Sequence, residues 1–291
     1  QILGSKIDDI LPSIANDLIP QVASVRNTDT PIADFEIRHS LPQRGLVDWR
    51  FTLSPLKDAD QITQGIAIVL DDLTERKRLE AQRKLFERMV SPAVIQQLDP
   101  NSLALGGKRT DITVIFADIR GFTSFSETLS PEQLVSVLNR YLAAGAEAVL
   151  EEEGTIDKFL GDAVMAWFNA PIPQPDHTLR AVRAALKLRD RIAALHAALP
   201  PEAHLAFGVG IHYGDAVLGL IGTEKRLEYT AIGDSVNTTK RLQENAGKNQ
   251  IVISQVAYER VKDQINVLQM EPMTVKGKRE VIPVYELLGL K

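Results

Sequence analysis

The regular alternation of strand-like and helical segments from residue 105 to the end of the chain constrains its fold more than any other feature. The apolar run ITVIFADI at 112–119 predicts a strand, and a long helix is predicted from Pro131 to about Glu151, since proline suits a first helical turn. Two short strand-like runs, TIDKFL and AVMAWF, flank Gly161-Asp162, and a second helix covers about 176–198. The strand-like runs LAFGVGIHYG and AVLGLIG follow. This order, βαββαβ, predicts an α+β domain of ferredoxin-like architecture.

The first part of the chain, residues 1–72, predicts a smaller α+β segment. Apolar residues recur at helical spacing between Ile7 and Leu18, and strand-like runs cover 47–53 and 66–70. Two or three strands and one helix are few for an independent core, so we expect an incomplete domain. Because the first residue is not Met, we also expect the chain to start inside a longer protein.

A charged helix is predicted between these parts, in a connecting segment that covers residues 73–107. Its apolar residues form a narrow stripe, and the helix should break at Ser91-Pro92, because the residue before proline is disfavoured in the helical conformation. Two interpretations stay open: a solvated linker helix, or a short coiled coil that couples domains across a dimer. The stripe spans about two heptads, fewer than the three or four that identify a coiled coil from sequence. Its members are Leu79, Phe86, Met89 and Val90.

Composition excludes several classes of function. The 291 residues contain no cysteine, which rules out disulfides, thiolate catalysis and cysteine-ligated metals within the chain. The net charge of −5 disfavours nucleic-acid binding, which needs clustered Lys and Arg. No apolar run approaches the ~18–20 residues of a membrane span, and no secretory signal is visible. We therefore expect no nucleic-acid partner, no transmembrane segment and a cytoplasmic catalytic part.

Two carboxylates are candidate metal ligands. Asp118 ends the strand-like run, and Asp162 occupies the turn of the predicted hairpin. Their separation of 44 positions fits one strand, one helix and one strand, so both side chains can meet at neighbouring strand ends. Mg²⁺ is commonly bound by one or two carboxylates with substrate phosphates completing its shell. Either aspartate alone is more typical of ordinary turn chemistry at a strand end or hairpin than of a metal site. The P-loop and dinucleotide-binding patterns are both missing.

Four motifs in a fixed order favour metal ligation by these aspartates over ordinary turn chemistry. FADIRGFTSFSE, DKFLGDAVMAWF, EYTAIGDSVNTTKRL and TVKGKREVIPVYEL together closely resemble the catalytic domain of class III nucleotidyl cyclases over about residues 108–288. The resemblance implies a catalytic domain at 108–291. The N-terminal segment, which ends in VLDDLTERKRLE, resembles the last strands of a PAS sensor domain followed by a signalling helix. The sequence does not indicate which ligand such a sensor would bind.

The resemblance also implies a chemistry and its residues. Cyclases of this class form a 3′,5′-cyclic nucleotide and pyrophosphate with the help of two divalent ions, Mg²⁺ or Mn²⁺. The resemblance assigns the binding of both ions to Asp118 and Asp162, assisted by the backbone carbonyl of Ile119. It assigns ribose orientation to Asn237 and stabilisation of the pentavalent α-phosphate to Arg241. These two residues lie four apart, hence on one face of the helix predicted over 235–244.

The remaining expected contacts concern the triphosphate and the purine. The resemblance makes Lys276 a triphosphate ligand, and Lys158 and Thr230 the readers of the base. Lysine only donates hydrogen bonds and a threonine hydroxyl accepts one, which complements N1 and the N6 amino group of adenine. We therefore expect an adenylate cyclase, with ATP as substrate, that works as a homodimer with active sites shared between protomers. The alternatives are a guanylate cyclase and a catalytically silent nucleotide-binding signalling module.

Overall fold

The structure is a computed structural model that describes residues 3–42, 44–89, 94, 106–127, 129–223, 226–274 and 281–291. The chain divides into two compact units, Gln1–Met89 and Val90–Lys291, each with its own sheet. Across the described ranges, none of the helices is both long and apolar enough to cross a membrane.

The N-terminal unit is a three-stranded antiparallel sheet with a helix packed on one face. Alternate residues of its central strand are buried, which is the pattern of a strand with one face on the core. These side chains form a core with apolar residues of the second helix. The elements are α1 Ile7–Ile10, α2 Ala15–Thr28, β1 Ile32–Leu41, β2 Gly45–Lys57, β3 Thr63–Asp72 and α3 Thr74–Met89.

The helix and strands expected in this unit are present, with longer strands than predicted. The apolar run that begins at Ile7 forms two helices rather than one, because Pro12 disfavours the helical conformation of the residue before it. Strand β1 was not anticipated. The connecting helix is present as α3, whereas Val90 and the break expected at Ser91-Pro92 lie outside the described residues.

The C-terminal unit contains the predicted ferredoxin-like arrangement and extends it. Its largest sheet has the order β10-β13-β9-β7-β4-β6-β5, and β8 pairs with β7 on the side. The segment β4-α5-β5-β6-α6-β7 is the expected βαββαβ unit. The elements are β4 Gly106–Arg120, α4 Phe122–Ser126, α5 Pro131–Glu151, β5 Thr155–Leu160, β6 Ala163–Phe168, α6 His177–His196, β7 Ala206–Thr223, β8 Arg226–Ile232, α7 Asp234–Asn245, β9 Ile251–Ser254, α8 Gln255–Val261, β10 Ile265–Gln269, β11 Met273–Thr274, β12 Val281–Ile282 and β13 Val284–Leu290.

One prediction about this sheet is wrong. The two runs LAFGVGIHYG and AVLGLIG were expected to form separate strands, but they form the single strand β7. Strand β4 pairs with β7 without interruption from Gly106, opposite Leu220, to Arg120, opposite Ala206. Gly214, the last residue of the first predicted run, lies within this ladder, opposite Ile112. The continuous hydrogen bonding to β4 therefore overrides the local turn tendency of glycine.

The two faces of the sheet carry different helices. Helices α5 and α6 cover one face, where Ile115 and Ala117 of β4 join the main core. Side chains of neighbouring strand residues point to opposite faces, so Phe116 and Asp118 belong to the face on which α7 lies. A capping box formed by Ser130 and Gln133 starts α5, which agrees with the predicted beginning of this helix at Pro131.

Helix α7 packs directly on the backbone of β7. A Cβ atom at Gly210 would lie 2.5 Å from both the Gln243 nitrogen and the Thr239 carbonyl oxygen, which are backbone atoms of α7. Only glycine permits this approach. The position of α7, and of every side chain it carries, therefore depends on this contact.

We expect Gly210→Ala to destabilise the C-terminal unit by about 1–3 kcal/mol, the usual cost of overpacking a core contact. Urea unfolding with circular dichroism measures the change. Gly289→Ala is the matched control, since Gly289 is also a strand glycine but a Cβ there would meet no atom within 4 Å. Both changes reduce the freedom of the unfolded chain equally, so equal stabilities would contradict the proposed contact.

Candidate active site

The two candidate metal ligands lie side by side at one end of the sheet. Asp118 pairs with Ala163 across β4 and β6, and Asp162 directly precedes that residue. The Ile119 amide donates a hydrogen bond to the Asp162 carbonyl at 3.4 Å. Gly161 adopts a left-handed conformation, with φ of 66°, which allows the tight turn between β5 and β6. The structure thus brings these aspartates together as the spacing predicted.

The electrostatics of this pair suit a divalent cation. Burial raises the pKa of Asp118, the negative charge of Asp162 raises it further, and the positive charge of Arg120 opposes the shift. Two carboxylates close together repel one another, and a bound cation would remove that repulsion. In the described part of the chain no group of three or more His, Asp or Glu side chains is arranged so that it could hold a metal ion. Two carboxylates and one carbonyl leave coordination positions for phosphate oxygens, which fits Mg²⁺ or Mn²⁺.

Arg120 joins the carboxylate pair to helix α7, a role that the sequence analysis missed. Its Nη1 atom lies 3.5 Å from Asp118 Oδ1, and its Nη2 atom donates a hydrogen bond to the Gln243 carbonyl of α7. The guanidinium lies against the backbone of Gly208, where a Cβ would be 2.2 Å from Nε. The only signal in the sequence is the position of this arginine two residues after Asp118.

Helix α7 presents the candidate ribose and phosphate ligands. Asn237 is exposed and Arg241 is half-buried, one turn further along the helix, whereas Thr238 and Leu242 are buried against the sheet. The Ser235 hydroxyl donates a hydrogen bond to the Asp215 carbonyl of β7 at 2.7 Å, which fixes the start of the helix. The predicted range of 235–244 agrees with α7, and both candidate side chains lie on its outer side.

The candidate purine readers lie on adjacent parts of β5 and β8 within one chain. Lys158 Nζ is 2.5 Å from Glu228 Oε2, and the Thr230 hydroxyl donates to Asp157 Oδ2 at 2.7 Å. Thr230 therefore contacts the residue before Lys158, and Lys158 contacts the residue two positions before Thr230. Neither Asp157 nor Glu228 was singled out from the sequence, although Asp157 stands beside Lys158 in the motif DKFLGD.

Asp157 occupies an irregularity in the sheet. The register of β5 against β6 shifts between Ile156 and Lys158, so that Asp157 is an extra residue in the ladder. Its side chain is only 1% exposed. This burial raises the pKa of Asp157 to about 6, while the Thr230 hydroxyl and the Lys158 ammonium oppose the shift. Such bulges are common next to active sites, where they change the direction of a side chain.

Comparison with known proteins identifies the family. Residues 107–289 match the adenylate and guanylate cyclase catalytic domain, and residues 1–78 match the PAS fold. The chain belongs to the adenylate and guanylate cyclase family. The resemblance inferred from the four motifs and from the N-terminal segment is therefore confirmed.

Individual relatives include cyclases for both nucleotides. Adenylate cyclase 1 of Rhizobium meliloti (strain 1021) is 36% identical over 191 residues, which are 62% of this chain and only 28% of that enzyme. The adenylyl cyclase CyaB from P. aeruginosa has 34% identity and a TM-score of 0.60, over 63% of this chain and 96% of that one. The guanylyl cyclase Cya2 has 37% identity and a TM-score of 0.56, over 64% and 96% respectively.

Within this cyclase fold, the structure places seven of the eight candidate residues. Asp118, Ile119 and Asp162 form one group where β4 ends and β6 begins. Lys158 and Thr230 form a second group across β5 and β8, and Asn237 and Arg241 lie on α7. Lys276, the expected triphosphate ligand, lies outside the described residues. The roles of all eight stay predictions.

We expect Asp118→Asn to stabilise the metal-free protein at pH 7 and to remove its response to Mn²⁺. The pKa of Asp118 is higher in the folded state than in the unfolded state, so protonation of this side chain stabilises the folded protein. This contribution to the free energy of unfolding is fully present below the unfolded-state pKa and is lost as the pH rises through the folded-state pKa. Removing the charge should raise the unfolding midpoint by about 2–4 °C, the shift that ~1 kcal/mol produces in a domain of this size.

Thermal unfolding with and without Mn²⁺ measures both effects. Wild type should gain stability on Mn²⁺ addition, because the ion binds only the folded site. Asp111→Asn is the control: Asp111 is an exposed residue of the same strand, and its variant should behave as wild type. An Asp118→Asn protein that still gains stability with Mn²⁺ would disprove the metal assignment.

Proposed function

We propose that this chain is an adenylate cyclase, which converts ATP to 3′,5′-cyclic AMP and pyrophosphate. The observation that carries the proposal is that Lys158 of β5 and Thr230 of β8 lie close together in a member of the cyclase family, since Thr230 contacts Asp157 and Lys158 contacts Glu228. Lysine at the first position donates to N1 of adenine, and the threonine oxygen accepts from the N6 amino group. Guanine carries a hydrogen on N1 and an oxygen at C6, so it would present the opposite pattern to both side chains.

The proposed reaction is an in-line displacement at phosphorus. The ribose 3′-oxygen forms a bond to the α-phosphorus, the bond from that phosphorus to the bridging oxygen breaks, and the 3′-hydroxyl loses its proton. Divalent ions, when bound, lower the pKa of that hydroxyl and neutralise charge on the leaving pyrophosphate. Asp118, Asp162 and the Ile119 carbonyl would hold them.

The other side chains orient the nucleotide. Asn237 would hold the ribose so that its 3′-oxygen is in line with the breaking bond. Arg241 would donate two parallel hydrogen bonds to the α-phosphate, because a planar guanidinium matches charge that spreads over several oxygens. Lys276 would bind the triphosphate as a point charge. Arg120 keeps the strand that carries Asp118 attached to α7, which carries Asn237 and Arg241.

The proposal includes a homodimer with two shared active sites. One protomer would contribute Asp118 and Asp162, and its partner the purine readers, Asn237, Arg241 and Lys276. Apolar side chains exposed beside Lys158 support such an interface, since Phe159 is 47% exposed and Leu160 is 45% exposed. The cytoplasm supplies ATP and is the proposed location. The PAS unit would act as a sensor whose ligand is unknown.

A direct assay tests the proposed activity. The protein is incubated with ATP or with GTP in the presence of Mn²⁺, and the products are separated by chromatography. Cyclic AMP as the main product supports the adenylate cyclase, cyclic GMP supports the guanylate cyclase, and no turnover supports a silent nucleotide-binding module. Each of the last two results would overturn the proposal.

Exchange of the purine readers should change the preferred base. We expect Lys158→Glu combined with Thr230→Cys to lower the ATP:GTP ratio of kcat/KM on the order of tenfold or more, because an acceptor then faces guanine N1 and a donor faces O6. Steady-state kinetics with both nucleotides measure the ratio. A double variant that keeps the full preference for ATP would disprove the assignment of these residues.

Mixed dimers test the shared site. Asp118→Ala and Arg241→Ala homodimers should each be nearly inactive, since every site lacks one essential group. Random exchange makes about half of the dimers heterodimers, each with one intact site, so the mixture should recover on the order of a quarter of wild-type activity. Co-expression with two affinity tags verifies the heterodimers. No recovery in verified heterodimers would contradict independent sites built from two chains.

A further inference from the structure

We propose that Asp157 sets the purine preference of this site: its carboxylate takes the hydroxyl hydrogen of Thr230 and so leaves the Thr230 oxygen as a hydrogen-bond acceptor. This inference rests on the proposed nucleotide cyclase function and names a residue that acts on the base through another one. Asp157 is a positioning residue in this scheme, because it does not contact the nucleotide itself.

A threonine hydroxyl by itself does not distinguish the two purines. It carries one hydrogen and two lone pairs, so it can accept from the amino group of adenine or donate to the C6 oxygen of guanine. The choice depends on where its hydrogen points. A neighbouring group that always accepts that hydrogen removes the second option.

Asp157 meets this requirement. Its Oδ2 atom accepts from the Thr230 hydroxyl at 2.7 Å, and an ionised carboxylate has no hydrogen to offer in return. The Asp157 side chain is 1% exposed and the whole Thr230 residue is 9% exposed, so water has little access to replace this bond. Buried Oδ1 has no hydrogen-bond partner, which leaves the Thr230 hydroxyl as the one described donor to this carboxylate.

Burial of the Asp157 carboxylate lowers the stability of the folded protein, and a residue with only a structural role would give no reason for this cost. A buried carboxylate with one unsatisfied oxygen is unfavourable, and here it lies in a bulge of β5 beside the candidate purine reader Lys158. The bulge gives Asp157 and Lys158 a common direction towards β8, where Thr230 and Glu228 lie. The Lys158 Nζ atom lies 2.5 Å from Glu228 Oε2. The other two hydrogens of the Lys158 ammonium are left for a ligand.

The test is the ATP:GTP ratio of kcat/KM in Asp157→Asn. An asparagine amide can donate as well as accept, so the Thr230 hydrogen is released and the ratio should fall on the order of tenfold. A merely structural role would lower activity with both nucleotides and leave the ratio unchanged. Asp111→Asn is the control and should keep the wild-type ratio.

A second variant pair keeps the test valid if Asp157→Asn weakens folding. In a Thr230→Val background there is no hydroxyl to orient, so adding Asp157→Asn should change the ratio by less than about twofold. A similar fall in both backgrounds would overturn the inference, because Asp157 would then act without Thr230. Thermal unfolding of each protein separates loss of folded protein from loss of selectivity.

The pH dependence of wild type gives an independent measurement. Burial raises the pKa of Asp157 to about 6, and the charged groups that act on it are Lys158 on the same strand and Glu228 on β8. As the pH falls through this value the carboxyl becomes protonated and no longer requires the Thr230 hydrogen. The ATP:GTP ratio should therefore decrease from pH 7 to pH 5, whereas Asp157→Asn should show a flat ratio. Protonation of the triphosphates affects both nucleotides alike and cancels in the ratio.

The outcomes separate this inference from the proposed function. If wild type prefers ATP and Asp157→Asn keeps that preference at every pH, only the role of Asp157 is disproved. If wild type turns over neither nucleotide, the cyclase proposal fails, and calorimetric titration with α,β-methylene analogues of ATP and GTP measures the same preference as a ratio of binding constants. If wild type prefers GTP, both the adenylate assignment and the role of Asp157 are wrong.

Discussion

The ladder between β4 and β7 determines where the candidate catalytic groups lie. Its register puts Phe116 opposite Gly210 and Asp118 opposite Gly208. The first pair lies beneath helix α7, and the second provides the space that the Arg120 guanidinium fills. A slip of one residue would turn Asp118 towards the apolar core under α5 and α6, where an unpaired carboxylate is strongly unfavourable. The register that buries the core therefore also positions the site.

Two carboxylates in this unit are held in unfavourable surroundings, and the reasons differ. Asp118 is half-buried next to Asp162, so its charge is opposed by both desolvation and a like charge. Asp157 is almost fully buried and has one neutral hydrogen-bond donor, the Thr230 hydroxyl. The first arrangement fits binding of a cation, and the second fits control of a single hydrogen. Perturbed carboxylates of this kind are concentrated at functional sites.

The connecting helix differs from the helices of the catalytic unit. Helix α3 carries many charged residues, and Leu79 of its apolar stripe is 60% exposed within the chain. Helices α5 and α6, by contrast, bury their apolar faces on the sheet. The exposure of Leu79 is compatible with a solvated linker helix and with a short coiled coil between two chains, so both interpretations of this helix stay open.

The sequence alone determined the elements whose boundaries depend on local chemistry. Pro131 starts α5, Gly161 makes the turn between β5 and β6, and helical spacing puts Asn237 and Arg241 on one face. The chain order also indicated that Asp118 and Asp162 meet, because the ferredoxin-like topology places their strands together. These features follow from neighbouring residues or from a known order of elements.

Only the tertiary structure decided the features that depend on partners distant in sequence. Strand β7 is continuous through Gly214 because β4 hydrogen-bonds along its whole length. Arg120 reaches the Gln243 carbonyl, 123 positions away, and Thr230 donates to Asp157, 73 positions away. A β-bulge leaves no pattern of apolar residues, so the orientation of Asp157 could not be predicted from the sequence. The hydrogen bond from Thr230 to Asp157 forms only once β5 and β8 have packed together.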